Sequence, residues 1–252
     1  NQCRLLERSM EYNLWRAPTD NDRYLKLKWQ KAHYDITYSR AYQTDYSVTA
    51  EGVRIHSVLA ILSPVIQRIL NMEAEWLIGA DGRVDVNLNV KRDTELPEFP
   101  RFGLRLFLPK DMEDVTYYGL GPVESYCDKR RASSHGTFTA HVTELHEDYI
   151  RPQENGSHDD CDFVSLAGRR AGLTAAGDKT FSFNASVYTQ EELTEKDHNY
   201  ELVRSPYTVL CLDYRMNGIG SNSCGPRLIE KYRLDEEEFS FGISLIPEVK
   251  AE

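Results

Sequence analysis

The run Val84-Asp85-Val86-Asn87-Leu88-Asn89-Val90 decides the fold class. Val84, Val86, Leu88 and Val90 fall on one face, and Asp85, Asn87 and Asn89 on the other. A period of two is the signature of a strand with one face buried. The same alternation recurs in Phe102, Leu104, Leu106 and Leu108, then in Phe181, Phe183, Ala185 and Val187, and again in Phe239, Phe241, Ile243 and Leu245. Upstream, Ile66 to Ile78 alternates through Leu70, Met72, Ala74 and Trp76 and stops at Gly79-Ala80-Asp81-Gly82. An Asp-Gly pair between two alternating runs predicts a hairpin. Val53 to Leu62 and Tyr207 to Tyr214 bring the expected strands to at least seven. Helix signals are few. Asp22 to His33 places Leu25 and Trp29 one turn apart, with Asp20, Asn21 or Asp22 as caps, and Thr189 to Glu192 has the form of a capping box. Neither segment alternates with strands in a βαβ rhythm, which disfavours a parallel sheet. The expected architecture is all-β: a large antiparallel β-sandwich, one domain over residues 1–252, with one or two short helices. The Pro-containing stretch 95–100 reads as a long loop inside that domain.

Composition removes several function classes. Thirty Lys and Arg against 40 Asp and Glu leave a net charge of −10. Such an acidic surface repels phosphate backbones, so no nucleic-acid partner is expected. No apolar run nears the ~18 residues of a membrane-spanning helix. Five cysteines, at 3, 127, 161, 211 and 224, are odd in number and irregular in spacing, with no CxxC. Free thiols, a reducing compartment and a cytoplasmic location are the expectation, and no metal site. The chain opens on Asn1, and it is read as a piece of a longer protein.

The residues that could carry chemistry give no complete constellation. Forty carboxylates could hide a glycosidase pair, but the required separation of roughly 5 to 10 Å is spatial and spacing cannot supply it. Runs such as Asp235 to Glu238 read as solvated faces. His158-Asp159-Asp160 has the look of a hard-cation ligand set, or of a polar loop after Asn155-Gly156. Gly218-Ile219-Gly220 lacks the third glycine and following helix of a dinucleotide loop, so it reads as a turn. Four segments stand out by mixing tight-turn residues with polar and aromatic ones, as sugar sites do: WRAPTDND at 15–22, YGLGPVESYCD at 118–128, YIRPQENG at 149–156 and MNGIGSNSCGP at 216–226.

In this order, the four segments resemble the C-terminal, small-chain region of the family 2 β-galactosidases, along nearly the whole chain. The resemblance implies a β-sandwich of the galactose-mutarotase type. It also implies that hydrolysis of terminal β-D-galactose, with retention, is performed by a catalytic barrel that precedes this domain. Two catalytic glutamates and the magnesium and sodium sites would lie in that barrel, so no catalytic residue is expected here and no cofactor on this domain. The resemblance places Asn222, Ser223 and Cys224 beside the substrate, in a loop reaching the active-site mouth. Some members carry a Trp where Cys224 stands, and a thiol cannot offer a sugar the flat face of an indole. The alternative is that Cys224 packs beneath the loop. Trp15, Arg16, Asp20 and Asn21 are expected at the junction with the barrel, or as caps of the following helix. The partners implied are a β-galactoside, the barrel of the same protein, and further copies when full length. Two other functions stay open: a free-standing galactoside-binding module, and aldose-mutarotase-like activity requiring a His and a carboxylate facing one sugar.

Overall fold

The computed structural model describes residues 3–65, 68–220 and 223–250. Among them are twelve strands: β1 (Glu11–Asn13), β2 (Tyr38–Val48), β3 (Gly52–Leu62), β4 (Leu70–Gly79), β5 (Val84–Arg92), β6 (Arg101–Pro109), β7 (Asp114–Gly121), β8 (Ser134–His141), β9 (Ser157–Ala167), β10 (Ala171–Ser186), β11 (Tyr207–Met216) and β12 (Glu238–Val249). Two short α-helices, α1 (Leu25–Lys31) and α2 (Gln190–Glu195), accompany them. Every strand pairing is antiparallel. The hydrogen-bonded path runs β1-β6-β11-β10-β12-β5-β4-β3-β2, and β9, β7 and β8 branch from β10.

The long strand β10 makes the layers. Its Ala171–Gly177 half pairs with β12, whereas Ser182–Ser186 pairs with β11. Between the halves its register against β9 shifts around Phe181. A strand that changes partners through such an irregularity turns the corner between facing layers. Rings then meet across the gap: Phe239 of β12 lies 5.0 Å from Phe102 of β6 and stacks at 4.5 Å on Tyr214 of β11. One continuous buried cluster joins Leu88, Leu104, Val164, Phe183, Leu210 and Phe241.

Several local expectations hold. Gly82 sits at φ +87 in the turn between β4 and β5, and the Gly79 amide bonds Arg83 O at 2.8 Å. Leu25 and Trp29 are the buried residues of α1, and the Thr189 hydroxyl caps α2 by accepting the Glu192 amide at 3.2 Å. Three details differ. β6 is buried on both faces rather than one. Its second face is sheltered because Arg101 and Arg105 are taken up by ion pairs and Phe107 packs with Val209 and Cys211. His158, Asp159 and Asp160 lie within β9, not in a loop: His158 pairs with Phe183 and Cys161 with Phe181 of β10, and Asp159 and Asp160 form the irregularity between those two pairs, with Asp160 at φ +58. β2 is a strand that was not expected; it is exposed along its whole length and is held by pairing with β3.

Candidate functional site

The four segments singled out in the sequence close into a ring. Arg16 is fully buried and grips Asp22 through Nε and Nη2, at 3.2 and 2.8 Å. Its remaining donors go to the carbonyls of Asn217 and Gly218, in the 216–226 segment. The Glu154 amide bonds Ala17 O at 3.0 Å, and the Gln153 amide group exchanges hydrogen bonds with Asp20. That joins 149–156 to 15–22. Glu124 closes the circuit, receiving the Gly156 amide at 2.9 Å, the Tyr149 hydroxyl at 2.5 Å and Lys129 Nζ at 2.5 Å. Burial alone would raise the Glu124 carboxyl, but these donors more than offset it and hold it below its ordinary value.

Asp128 explains the glycines of Gly218-Ile219-Gly220. Its carboxylate receives the amides of Ile219 at 3.0 Å and Gly220 at 2.7 Å. A Cβ on Gly218 or Gly220 would come within 2.7 or 2.9 Å of the same oxygen, so both positions are kept bare. The motif is an anion-binding turn filled by the protein's own carboxylate. Beside it, the Cys127 thiol faces the carbonyls of Met216 and Tyr232 at 3.5 and 3.8 Å. Burial pushes that thiol up to about 12, so it stays protonated and able to donate. From the other side Asn21 donates to Ile219 O at 3.0 Å and accepts from the Ser223 hydroxyl at 3.2 Å. The base of the loop is stapled twice, while Cys224 is exposed and Ser223 half-buried. Asn222, the third residue expected beside substrate, lies outside the described residues.

Under the ring, Arg101 carries two carboxylates. Asp213 takes Nε and Nη2, and Glu154 Oε2 takes Nη1 at 3.1 Å; all three side chains are buried. Burial drives Glu154 up to about 7 despite the Arg101 and Arg16 guanidiniums, with Asp213 adding like-charge repulsion. Of the residues expected at a junction, Trp15 and Arg16 point into this domain. Trp15 packs edge-on to Trp29, 6.4 Å between centroids, and donates to Thr194. Asp20 and Asn21 are exposed. Next to Asp20 opens a cleft of about 460 Å³, lined by Thr19, Arg23, Lys26, Arg151 and Thr194 among others.

A family model described as the β-galactosidase small chain matches residues 1–245. The chain belongs to the β-galactosidase small-chain family. Among its relatives, a β-galactosidase of Actinobacillus pleuropneumoniae is 46% identical over 242 residues, 96% of this chain and 24% of that protein. One of Staphylococcus xylosus is 39% identical over 93% of this chain and 24% of that protein. This chain therefore spans about a quarter of the length of the curated relatives it matches. Its fold is similar to a galactose mutarotase-like protein from Lactobacillus casei, with a TM-score of 0.45 and 10% identity over 82% of this chain and 73% of that one.

Within the small chain, sequence reasoning names the ring's members but not its inner supports. Arg101 and Asp213 were missed. The available signal was a lone acid inside the apolar run Val209-Leu210-Cys211-Leu212-Asp213, which a buried strand tolerates only with a cation opposite. Among the described residues, no group of three or more His, Cys, Asp or Glu is arranged to hold a metal ion. No helix among them is long and apolar enough to cross a membrane.

Proposed function

We propose that this chain is the non-catalytic C-terminal part of a retaining β-galactosidase, and that it braces the catalytic barrel and lines the mouth of its active site. The observation that carries the reading is the ring itself. Four segments scattered over more than 200 residues are bonded to one another, and the 216–226 segment, held through Ile219 and Gly220, leaves Cys224 exposed and Ser223 half-buried. Fixing the base of a loop while leaving Cys224 exposed suits a wall that meets substrate more than a domain packing element. The catalytic glutamates, and the magnesium and sodium, belong in this reading to the barrel, along with the galactose subsite. The small chain supplies shape at the aglycone side, and full-length copies associate.

The test compares the isolated chain with the full-length protein on a chromogenic β-galactoside. Turnover only by the full-length protein is expected; equal rates would overturn the division of labour. The 460 Å³ cleft beside Asp20 is of monosaccharide size and favours one further outcome, sugar binding by the chain alone. Calorimetry with millimolar galactose or lactose reads it directly. Mutarotase-like catalysis lacks a comparable feature. Among the described residues the histidines nearest carboxylates, His141 at 3.4 Å from Glu113, His146 at 3.6 Å from Asp148 and His198 at 3.6 Å from Glu201, do not line that cleft.

A further inference from the structure

The apolar face of the sheet continues beyond the core that it helps to build. Read across strands in register, Ile243, Val86, Trp76, Ile55 and Tyr46 form one row from β12 to β2. Leu245, Val84, Ile78, Val53 and Val48 form the next. Residues directly opposite in antiparallel strands share a face, so both rows belong to the side that is core at Ile243 and Val86. Burial is lost outward. Val86 is 1% exposed, whereas Ile78 is 39%, Tyr46 77% and Val48 78% exposed. The other face of the same strands is polar, with Arg54 paired to Glu75 and with His56 opposite Glu75 and Asn87 in sequence along the ladder. Trp76 and Val84 still pack against the core, and the outer end of the stripe, at Ile78, Tyr46 and Val48, is the hydrophobic side of the sheet left open to solvent. β2 adds an open edge: its one partner among the described strands is β3, and its eleven residues include no Pro or Lys to discourage pairing.

We propose that this stripe is where the larger part of the β-galactosidase polypeptide packs, through an apolar and aromatic surface laid on Tyr46, Val48, Ile55, Trp76 and Ile78. The occupant follows from size and chemistry. Relatives that match this chain almost end to end are about four times its length, 24% of each being covered, so a far larger body accompanies the domain in them. Neither row contains a charged residue, and permanent interfaces are the apolar, aromatic-rich kind. The inference rests on the reading that the chain works joined to a catalytic part. It assigns the contact to β2, β3 and β4, which contain none of the four motif segments.

Hydrogen exchange, read by mass spectrometry on the chain alone and on the full-length protein, tests the surface. Peptides spanning 40–48, 53–57 and 74–78 should exchange ~10-fold or more slowly in the full-length protein, with the chain alone monomeric by light scattering. Equal exchange in the two would overturn the proposal. So would a dimer of the isolated chain that protects the same peptides, since a second copy would then be the occupant. Tyr46→Arg combined with Val48→Asp gives a second readout. Because both side chains are exposed in the chain alone, its melting temperature should not move, while that of the full-length protein should fall and the protection should vanish. Full-length protein that hydrolyses a β-galactoside but shows no protection sinks the surface and spares the functional reading. Protection without hydrolysis does the reverse.

Discussion

Glu154 and His158 sit four residues apart and titrate in opposite senses. Glu154, buried beside Arg101, is raised to about 7, and His158, buried between Tyr117 and Phe183, is lowered to about 4 by desolvation. For Glu154 the folded state holds its proton longer than the unfolded chain, so stability falls as pH rises from about 4.5 to 7. For His158 the unfolded chain takes the proton first, so stability falls as pH drops from about 6.5 to 4. Each effect is on the order of 3 kcal/mol in full, and between pH 4.5 and 6.5 the two offset one another. Glu154→Gln should unmask the histidine, making the melting temperature climb from pH 4.5 to 6.5. His158→Phe, which keeps the ring stack, should unmask the glutamate and reverse the slope. Thermal melts at the two pH values check both, and slopes matching the unsubstituted protein would refute them. Asp128 supports a separate expectation. Asp128→Asn keeps the size but removes the charge to which two amides donate, a loss of about 1–2 kcal/mol local to the turn. The Ile219 and Gly220 amides should exchange faster with little change in overall melting. In the full-length enzyme KM for an aryl β-galactoside should rise more than kcat falls. An unchanged KM would detach the loop from substrate.

At the scale of elements, the alternating runs were legible because burying one face writes a period of two into the chain, as in β5. β6 obeyed the same pattern yet buried both faces, since its second face is covered by ion pairs formed with residues 53 and 112 positions away, which no local window contains. β2 was illegible for a different reason. Its apolar face is short, Tyr46 and Val48 beyond a bulge at Ala41/Gln43 and next to Asp45, too little for a local window to read as a strand. The site shows the same division. Its four segments could be picked out, but their closure depends on long-range bonds such as Asp128 to Gly220 and Glu124 to Gly156. Asn155-Gly156 illustrates how a local signal can mislead. It reads as a simple turn, yet the Asn155 side chain is buried, donating to Gln153 O and accepting the Glu147 amide. Gly156 stands at φ +68 with Leu145 O only 2.2 Å from where a Cβ would be. Gly156→Ala should therefore cost about 2 kcal/mol or more, from strain and from a clash with backbone that cannot swing away. Gly225, with open space around it, provides the contrast, and Gly225→Ala should stay within about 0.5 kcal/mol. Urea titration of the two variants decides it, and equal midpoints would refute the role given to Gly156.

For the whole molecule, the question is whether 252 residues unfold as one unit. The sheet gives a physical reason that they should. β10 belongs to both layers, pairing with β12 along one half and β11 along the other, so neither layer can be removed without breaking its central strand. The principal buried cluster draws on strands from β3 to β12 and on α1, and the ring of polar segments ties residues 15–22 to 216–226 across the chain. A boundary near Pro97 would have to cut the bonds of Trp29 and Tyr34 to the carbonyls of Glu98 and Pro97, and those of Arg92 to Leu96 and Pro97. Calorimetry on the isolated chain should show one transition, with an enthalpy of roughly 180 kcal/mol near 60 °C at the usual ~0.7 kcal/mol per residue. The van 't Hoff enthalpy should agree with it. Two resolved transitions, or a van 't Hoff value near half the calorimetric one, would mean that the shared strand does not couple the layers and that the chain holds two folding units.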